Sequence, residues 1–494
     1  MEIQEAKRRA RKGPALLLAR RILSLIVVFV STFTVARLVD PSAYGLANMS
    51  GIVLAFAQIF RDFGLTNAIL RKGSISSAEL NFIFWFNVAT TSALALMIAL
   101  LAPAISRFYH EPVVYWVVLV ALIGFMFEGL SLQHRGLISR ELRFGRVALI
   151  ESAALLVGFV TTLVLAAMYH NVWSIVIGNM VQSITLAIGC VMSSGWRPSR
   201  PRWSNEFGPV LLFGANSSVF SISVFLSNNA ANLLIGHMLG SGPLGLYNRA
   251  TALFQLPVNN LIEPITHATM PLLTRLRVDP AEYRDAYTSL VRKLSAFLVP
   301  GSVMLSICAV PLVVTLLGPN WREAGFVLSA LAPALAGFGF AYSASDLFVT
   351  QDRVGELRKL GLIEMVIRVG AVLVGVQFGL VATALGFSLA ALASAALRLV
   401  MVGRSGPVSC MDQLRAVLPA LPLGIGAALG SGLAQVSSGA LQLHSLATVF
   451  LIFGGGSLGV VLAAFPFSSA RSVLIELART FLPARLIKTR DHTL

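Results

Sequence analysis

The sequence predicts an all-α polytopic membrane protein with about 14 transmembrane helices, arranged as two pseudo-symmetric six-helix lobes followed by two C-terminal helices. Composition is the first observation that predicts this class. Apolar residues make up 56% of the 494 residues and charged residues only 12%, whereas soluble domains are roughly 25% charged. The second observation is the mean hydropathy of +0.79. A soluble globular fold is therefore excluded.

The third observation is the length of the apolar runs, which sets the predicted spans. A helix needs ~20 residues to cross the ~30 Å hydrocarbon layer. Fourteen runs of about this size or longer occur. They are 15–37, 43–62, 80–102, 113–133, 147–169, 172–193, 207–237, 244–274, 288–317, 324–350, 358–378, 380–402, 414–434 and 444–466. We expect the first run to remain as helix 1 rather than be cleaved as a secretory signal, because it lacks a small-residue cleavage pattern.

The distribution of Lys and Arg predicts the orientation, because cytoplasmic loops retain these residues. The N-terminus, the gaps after even-numbered helices and the tail hold 30 basic residues, whereas the gaps after odd-numbered helices hold only Arg37, Arg107 and Arg322. Both termini are therefore predicted to be cytoplasmic. The net charge of +16 is then explained by topology and by contact with anionic membrane lipids. Nucleic acid is not an expected partner, because the basic residues form no continuous patch.

A weak internal repeat predicts the boundaries of the lobes. The segment Val39–Asn48 aligns with Leu239–Asn248 at an offset of 200, and the two share Gly45/Gly245, Leu46/Leu246 and Asn48/Asn248. Both segments join the first and second helices of a six-helix set. The predicted domains are an N-terminal lobe (1–205), a C-terminal lobe (206–405), two additional helices (406–466) and a basic cytoplasmic tail (467–494), which reads as a helix lying on the inner leaflet.

The two additional helices carry glycines at GxxxG spacing, Gly426/Gly430 and Gly455/Gly459. Close helix packing is the first interpretation of this spacing. A groove for a lipid chain is the alternative.

Three sequence motifs resemble those of a known family. They are RDFGLTNAILRK (Arg61–Lys72), LISRELRFGRVALIE (Leu137–Glu151) and LGSGPLGLYNRA (Leu239–Ala250). With the repeat, they resemble the polysaccharide-transporter branch of the multidrug/oligosaccharidyl-lipid/polysaccharide exporter superfamily, over about residues 10–465. The resemblance implies a V-shaped pair of lobes that alternates between inward-open and outward-open states, with helices 1, 2, 7 and 8 lining the central cavity.

For function, the resemblance implies a flippase of the bacterial inner membrane. Its substrate would be an undecaprenyl-diphosphate-linked oligosaccharide repeat unit for exopolysaccharide or O-antigen synthesis, and a polymerase and a chain-length regulator are conceivable partners. An ion-coupled small-molecule antiporter of the same fold is the alternative, followed by a peptidoglycan-precursor flippase. A membrane-bound polymerase or ligase is disfavoured, because no predicted outside gap is long enough for a catalytic loop.

The sequence contains no catalytic constellation and no phosphate-binding loop, so we expect no enzyme activity, no cofactor and no metal. The three cysteines are far apart and lie in or beside apolar segments. They are interpreted as inert thiols.

Arginines within the predicted spans are candidates for binding the diphosphate, because a guanidinium donates paired hydrogen bonds to such groups. Arg249 lies near the outer end of helix 8, where topology gives no reason for a basic residue. Arg20 and Arg21 lie only ~9 Å into helix 1. For this pair, snorkelling to the headgroups remains open beside a diphosphate contact.

A polar face on helix 7 is the candidate lining for the sugars. Its members, Ser217, Ser221, Asn228 and Asn232, recur at spacings of 4, 7 and 4, which places them on one side of a helix. Hydroxyls and amides can both donate and accept hydrogen bonds. Hydrogen bonding between helices is the alternative role.

Helix 8 carries a second polar face and three prolines. Asn259, Glu263 and His267 recur at spacing 4, and Pro257, Pro264 and Pro271 recur at spacing 7. Since proline bends helices, helix 8 is predicted to be the moving element. Asn259 is assigned to the substrate lining and Glu263 to a proton or sodium site.

Ionisable residues outside the cavity-lining helices are also rare and costly within spans. They are Glu128, Asp346, Glu364, Arg368 and Arg398. Glu364 and Arg368 are spaced i,i+4, which predicts that they neutralise one another.

Overall fold

The computed structural model describes residues 30–62, 76–199, 228–441 and 445–481, together with Val27, Ile222, Phe225 and Leu226. The chain divides into two compact units, residues 1–248 and residues 249–494. The division falls within one helix, between Asn248 and Arg249. The described segments of both units are built from helices joined by short turns.

Unit 1 contains seven described helices and the start of an eighth. They are α1 (30–38), α2 (Pro41–Asp62), α3 (Ser77–Tyr109), α4 (Val113–Arg140), α5 (Phe144–Tyr169), α6 (Val172–Ser194), α7 (228–238) and α8 (Ser241–Pro257). Helix α6 packs against both α4 and α5, and α2 packs against α4.

Unit 2 holds the rest of α8, a π-helical turn (Val258–Ile262) and the remaining helices. These are α9 (Glu263–Leu276), α10 (Pro280–Leu317), α11 (Arg322–Leu331), α12 (Ala334–Thr350), α13 (Val354–Gly375), α14 (Leu380–Gly403), α15 (Cys410–Val417), α16 (Ala420–Ala440), α17 (Ser445–Ala464) and α18 (Ser468–Phe481). Helix α10 packs against α11, α12, α16 and α17.

The length and hydropathy of these helices fit a membrane. Within the described residues, ten helices are long and apolar enough to span a bilayer, or eleven if the pair Pro319–Leu331 and Ala334–Thr350, bent by 49°, forms one span. Large apolar side chains on these helices are exposed, for example Leu100 at 73% and Met192 at 75%, as expected of lipid-facing surfaces. The prediction of an all-helical, multi-span membrane protein is confirmed, and the count of fourteen stays a prediction.

Local sequence signals fix many of the helix ends. At the start of α3, Ser76 and Glu79 form a reciprocal capping box. The carboxylate of Asp279 accepts from two amides at the start of α10, where Pro280 occupies the first turn. Helix α5 ends at His170 in the left-handed region, and Gly379 has a φ of 100° before α14. Short turns therefore fill the gaps between the predicted runs 147–169 and 172–193 and between 358–378 and 380–402.

The predicted eighth span is interrupted by a π-turn between α8 and α9. Its widened hydrogen bond runs from the amide of Glu263 to the carbonyl of Val258. Pro264 follows directly and has no amide hydrogen with which to continue the i→i−4 ladder. Proline therefore accounts for the irregularity, and π-turns of this kind are frequent at functional sites.

The C-terminal helix α18 is amphipathic as predicted, but its apolar side packs on protein. Ala470 and Val473 are buried in a cluster with Ala296 of α10 and Leu423 of α16. Glu476 is 2.9 Å from Lys293 of α10. This packing ties the helix to α10 and α16, and its location on the inner leaflet stays a prediction.

Glycines allow α16 and α17 to pack in direct backbone contact. A methyl group added at Gly430 would overlap the carbonyl oxygen of Gly455, and one added at Gly426 would overlap that of Gly459. This confirms close helix packing as the role of the GxxxG spacing. The alternative of a groove for a lipid chain is wrong, because the glycine face of α16 packs directly against the glycine face of α17 and leaves no groove there.

The glycine crossing predicts a position-specific effect of adding a single methyl group. Gly430→Ala should separate α16 from α17 and lower the free energy of unfolding by about 1–3 kcal/mol. Gly432→Ala, on the same helix with nothing within 4 Å of the new methyl group, should be neutral or slightly stabilising. Thermal unfolding of the purified protein in detergent measures both variants. Equal melting temperatures for the two would contradict the packing described above.

Candidate functional site

An ion pair between Arg61 of α2 and Glu128 of α4 joins two helices of unit 1. Glu128 of α4 accepts from Nη1 of Arg61 at 3.2 Å, from Nε2 of Gln58 at 3.4 Å and from Oγ of Ser183 at 3.1 Å. The side chains of Arg61 and Glu128 are 10% and 34% exposed. Two helices, α2 and α6, thus supply the donors that a carboxylate on the membrane-spanning helix α4 requires.

Arg61 is held in this position by more than charge. Its Nη1 also donates to the carbonyl of Phe125 at 3.4 Å, and its guanidinium lies 4.8 Å from the centroid of the Phe125 ring. From the sequence, Arg61 counted only as one of the basic residues at the end of helix 2. The unpaired Glu128 within span 4 was the available signal for a buried partner.

Two polar cavities lie inside unit 1, and Glu128 lines the first of them. The first, of 250 Å³, is lined by Gln58, Glu128 and Ser183 among others. The second, of 190 Å³, includes Ser31 and Thr162. Asn179 and Gln182 of α6 line both cavities. Each is smaller than the ~300–1,000 Å³ typical of pockets for drug-sized molecules, and therefore suits a single polar group, ions or water.

Sequence reasoning missed the polar face of α6. Asn179, Gln182 and Ser183 are spaced i, i+3 and i+4, which places them on one side of the helix. The spacing was the available signal. Helix 6 is not among the helices for which the family resemblance implies cavity lining, so the spacing alone did not predict this role.

At one end of unit 1, α2 and α8 make a reciprocal backbone contact. A methyl group at Gly45 would overlap the carbonyl oxygen of Ser241, and a methyl group at Gly245 would overlap that of Pro41. Pro41 and Ser241, like Gly45 and Gly245, are 200 residues apart. The shared glycines of the sequence repeat are therefore the residues at which these two helices touch.

Side chains reinforce this end of the unit. Ser241 Oγ donates to Oε1 of Glu111 at 2.6 Å. His237 Nδ1 lies 2.6 Å from the carbonyl oxygen of Phe108, and the two rings stack at 4.4 Å. The turns after α1, α3 and α7 thus meet here. These contacts hold the three turns together.

The predicted substrate-binding residues are only partly within the described chain. Arg20, Ser217 and Ser221 lie outside the described residues. Asn228 and Asn232 share one face of α7, where Asn228 is exposed and Asn232 half-buried. The buried Oδ1 of Asn232 has no hydrogen-bond partner among the described residues. Arg249 is half-buried in the third turn of α8.

A second polar group of side chains lies in unit 2, beside the π-turn. Asn259 and His267 are exposed, and Glu263 between them is half-buried. Oη of Tyr342, on α12, donates to Oε1 of Glu263 at 3.0 Å. The predicted polar face of helix 8 therefore contacts α12 through Glu263.

The predicted pairing of Glu364 with Arg368 was wrong. Glu364 of α13 instead accepts two hydrogen bonds from Arg398 of α14, at 2.5 and 2.7 Å. Arg368 lies over the ring of Phe387 at 5.4 Å. The planar guanidinium of Arg398 matches both carboxylate oxygens at once, a geometry stronger than an i,i+4 contact on a helix surface.

Asp346 of α12 is a half-buried carboxylate near this pair. Its Oδ2 is buried and has no hydrogen-bond partner within the described chain. Nη1 of Arg398 donates to Ser345 Oγ at 2.5 Å and to the carbonyl of Ala341 at 2.6 Å. Nη1 of Arg398 therefore donates to Ser345, the residue next to Asp346.

Buried ion pairs and polar cavities within a bundle of membrane helices define the class as a polytopic membrane protein with a polar interior. Solved structures share this fold. The structure matches the lipid II flippase MurJ in its inward closed conformation with a TM-score of 0.69 and 14% identity, covering 94% of this chain and 99% of that one. It matches an inward-facing multidrug resistance MATE family transporter with a TM-score of 0.57 and 15% identity, covering 80% and 95%.

The chain belongs to the polysaccharide biosynthesis protein family, whose profile matches residues 34–325. The resemblance to the polysaccharide transporters of the exporter superfamily is thereby confirmed. Among its relatives, the lipopolysaccharide biosynthesis protein WzxC of Escherichia coli (strain K12) is 26% identical, over 73% of this chain and 74% of WzxC. The teichuronic acid biosynthesis protein TuaB of Bacillus subtilis (strain 168) is 22% identical, over 56% and 58%.

A third relative, the succinoglycan biosynthesis transport protein ExoT of Rhizobium meliloti (strain 1021), is 22% identical over 62% of each chain. The chain thus spans less than two-thirds of the length of TuaB and ExoT, and about three-quarters of WzxC.

The ion pair between Glu128 and Arg61 predicts that the effects of changing the two residues on stability are coupled. Glu128→Gln should lower the free energy of unfolding by about 1–3 kcal/mol, because Arg61 is left buried without its counter-ion. Adding Arg61→Gln should destabilise the protein by less than the sum of the two single changes. Thermal unfolding in detergent measures the cycle.

Glu141→Gln is the control, because its pair with Arg143 is exposed and should contribute little. Additive effects at positions 61 and 128 would show that the pair is not a functional unit of the fold.

Proposed function

We propose that the protein is a flippase that moves undecaprenyl-diphosphate-linked oligosaccharide repeat units across the bacterial inner membrane for exopolysaccharide or O-antigen biosynthesis. The observation that carries this proposal is the family match over residues 34–325. The names of WzxC and ExoT, a lipopolysaccharide biosynthesis protein and a succinoglycan transport protein, point to the same process. The fold shared with a lipid II flippase over 94% of the chain agrees with a lipid-linked substrate.

The proposed topology has fourteen spans, two six-helix lobes (1–205 and 206–405) and both termini in the cytoplasm. One observation supports it. The turns at Pro41, Glu111 and Ser241 lie at one end of unit 1, and all three follow odd-numbered helices. The basic-residue count favours a periplasmic location for that end, and we propose that the contact between α2 and α8 lies on the periplasmic side.

The proposed substrate site combines cations with neutral polar groups. Arg249 and Arg20 bind the diphosphate, and the sugars contact the polar faces of helices 7 and 8 through Ser217, Ser221, Asn228, Asn232 and Asn259. Support comes from Asn232, whose buried carbonyl oxygen has no partner within the described residues. Glu263 is the proposed coupling-ion residue. Anionic membrane lipids contact the basic loops, and a polymerase and a chain-length regulator are proposed partners.

Deleting the gene should abolish a surface polysaccharide and accumulate lipid-linked repeat units on the cytoplasmic leaflet. Surface polysaccharide is measured on intact cells, and repeat units are measured in lipid extracts, with the plasmid-borne gene as the rescue control. If the deletion strain keeps its polysaccharide and becomes sensitive to cationic dyes, the small-molecule antiporter is the correct function and the flippase proposal fails.

Arg249→Ala should lower polysaccharide export by roughly 10- to 100-fold, the loss expected from charge-assisted hydrogen bonds worth about 1.5–3 kcal/mol. Arg249→Lys should restore export only in part, because ammonium lacks the paired donor geometry. Arg322→Ala, which removes an arginine predicted to lie on the same side of the membrane, is the control and should export normally. Membrane abundance is measured by immunoblot. A variant at position 249 that exports at the normal rate would exclude Arg249 from the site.

A further inference from the structure

The larger cavity of unit 1, the Glu128 cavity, is an elongated cleft between α2, α4 and α6. Five residues of α2 that recur every three or four positions form one wall of it, and this spacing places them on one face of the helix. They are Ala47, Ser50, Gly51, Leu54 and Gln58. The first and last of them are 11 residues apart, which is about 16 Å along the helix.

The lining of the Glu128 cavity combines polar groups with apolar side chains. Its amide, hydroxyl and carboxylate groups include those of Gln58, Glu128, Asn179, Gln182 and Ser183, and its apolar side chains include those of Leu54, Val176 and Met180. A sugar ring has the same two characters, because its hydroxyls lie around the rim and its C–H groups lie on the two faces. This lining therefore suits a pyranose.

The charges beside the Glu128 cavity compensate one another. Nη1 of Arg61 donates to Oε2 of Glu128 at 3.2 Å, so the two side chains together are neutral. A bound cation would need a carboxylate without a counter-ion, and an acidic sugar would need a cation that is not already paired. The cavity therefore favours a neutral ligand.

Glu128 can accept a further hydrogen bond from such a ligand. A carboxylate has about four lone-pair positions. Within the described residues, Oε2 accepts from Gln58 and Arg61, whereas Oε1 accepts from Oγ of Ser183 at 3.1 Å. One position on Oε1 is thus left for a hydroxyl. The amides of Asn179 and Gln182 line the same cavity and can both donate and accept.

The volume of the Glu128 cavity fits one sugar unit. At ~30 Å³ for each water molecule, 250 Å³ corresponds to about eight waters. A single pyranose ring with its hydroxyls is of this order, whereas a complete oligosaccharide is several times larger. The cavity therefore accommodates one unit of a longer chain and leaves the remainder outside.

We propose that the Glu128 cavity binds one neutral pyranose unit of the transported oligosaccharide, with Glu128, Asn179 and Gln182 contacting its hydroxyls. This inference rests on the proposed function for the source of the sugar. It adds a recognition site between α2, α4 and α6 to the residues proposed on helices 1, 7 and 8. Because the lining is neutral, the site selects against an acidic sugar at this position of the repeat unit.

Gly51 allows the cavity to be filled without disturbing the packing around it. It lies in the α2 wall of the cavity, and no described atom lies within 4 Å of a methyl group added there. Gly51→Phe should therefore place its ring in the cavity and exclude a sugar. Gly432, in the middle of α16, has equally open surroundings among the described residues, so Gly432→Phe is the matched control.

Saturation-transfer NMR of the full-length protein in lipid nanodiscs tests the site with simple sugars as probes. Methyl glucoside, methyl galactoside, methyl mannoside and N-acetylglucosamine are added at millimolar concentration, with glucuronate as the acidic comparison. We expect at least one neutral probe to receive saturation from the wild type and from Gly432→Phe, and none to receive it from Gly51→Phe. Glucuronate should receive none from any of the three proteins.

Three results overturn the sugar site. They are a panel in which no neutral probe receives saturation from the wild type, a signal that survives Gly51→Phe, and a preference for glucuronate. If Gly51→Phe does not fold, as judged by gel filtration, Asn179→Leu decides. It should weaken binding of the neutral probe about fivefold, the loss expected for one neutral hydrogen bond. Thr185→Val, on the same helix and bonded to the carbonyl of Val181, is its control, and equal binding by the two variants overturns the site.

Export in the deletion strain tests whether the sugar site serves transport. Gly51→Phe should lose surface polysaccharide at normal membrane abundance, whereas Gly432→Phe should keep it. Normal export by Gly51→Phe overturns the role in recognition. If the wild-type gene itself fails to restore polysaccharide, the proposed function fails, while the saturation-transfer result still stands or falls separately.

Discussion

A charge inside a membrane-spanning helix has to be compensated by the protein, because the hydrocarbon layer offers neither water nor counter-ions. The two units meet this requirement with different chemistry. In unit 1 a carboxylate on α4 collects donors from α2 and α6, so Glu128 ties three helices together. In unit 2 Arg398 spans from Glu364 on α13 to the backbone of α12. Each ion pair therefore also fixes the relative positions of the helices that supply it.

Backbone contact through glycine gives a different kind of packing. Where α16 crosses α17, and where α2 meets α8, no side chain separates the helices. Such surfaces lack interlocking side chains, so a crossing of this type can be made and broken without repacking rotamers. The contact between α2 and α8 precedes the π-turn along the same segment. A separable contact is thus followed by an irregular turn within the predicted moving helix.

Hydropathy predicted the long helices well and the breaks poorly. The run 172–193 became Val172–Ser194, because an apolar stretch of the right length folds alike in any membrane bundle. The run 324–350 is instead broken before Ala334, next to Pro333, and its 49° bend depends on packing that no window of sequence contains. Charge partners were equally unpredictable. The i,i+4 spacing predicted that Arg368 pairs with Glu364. The actual partner of Glu364 is Arg398, which is 34 residues away and is brought close by the tertiary structure.

The reciprocal contact between α2 and α8 has an evolutionary consequence. Gly45 meets Ser241, and Gly245 meets Pro41. Gly45 is equivalent to Gly245 in the repeat, and Pro41 is equivalent to Ser241, so the two segments make the same contact in both directions. Two segments that exchange equivalent contacts in this way resemble an isologous interface, the kind that two identical subunits form about a two-fold axis. A shorter ancestral chain could make this contact twice as a homodimer. Fusion into one chain then frees each copy to change alone, so asymmetric features such as the π-turn could arise in one half without disturbing the other.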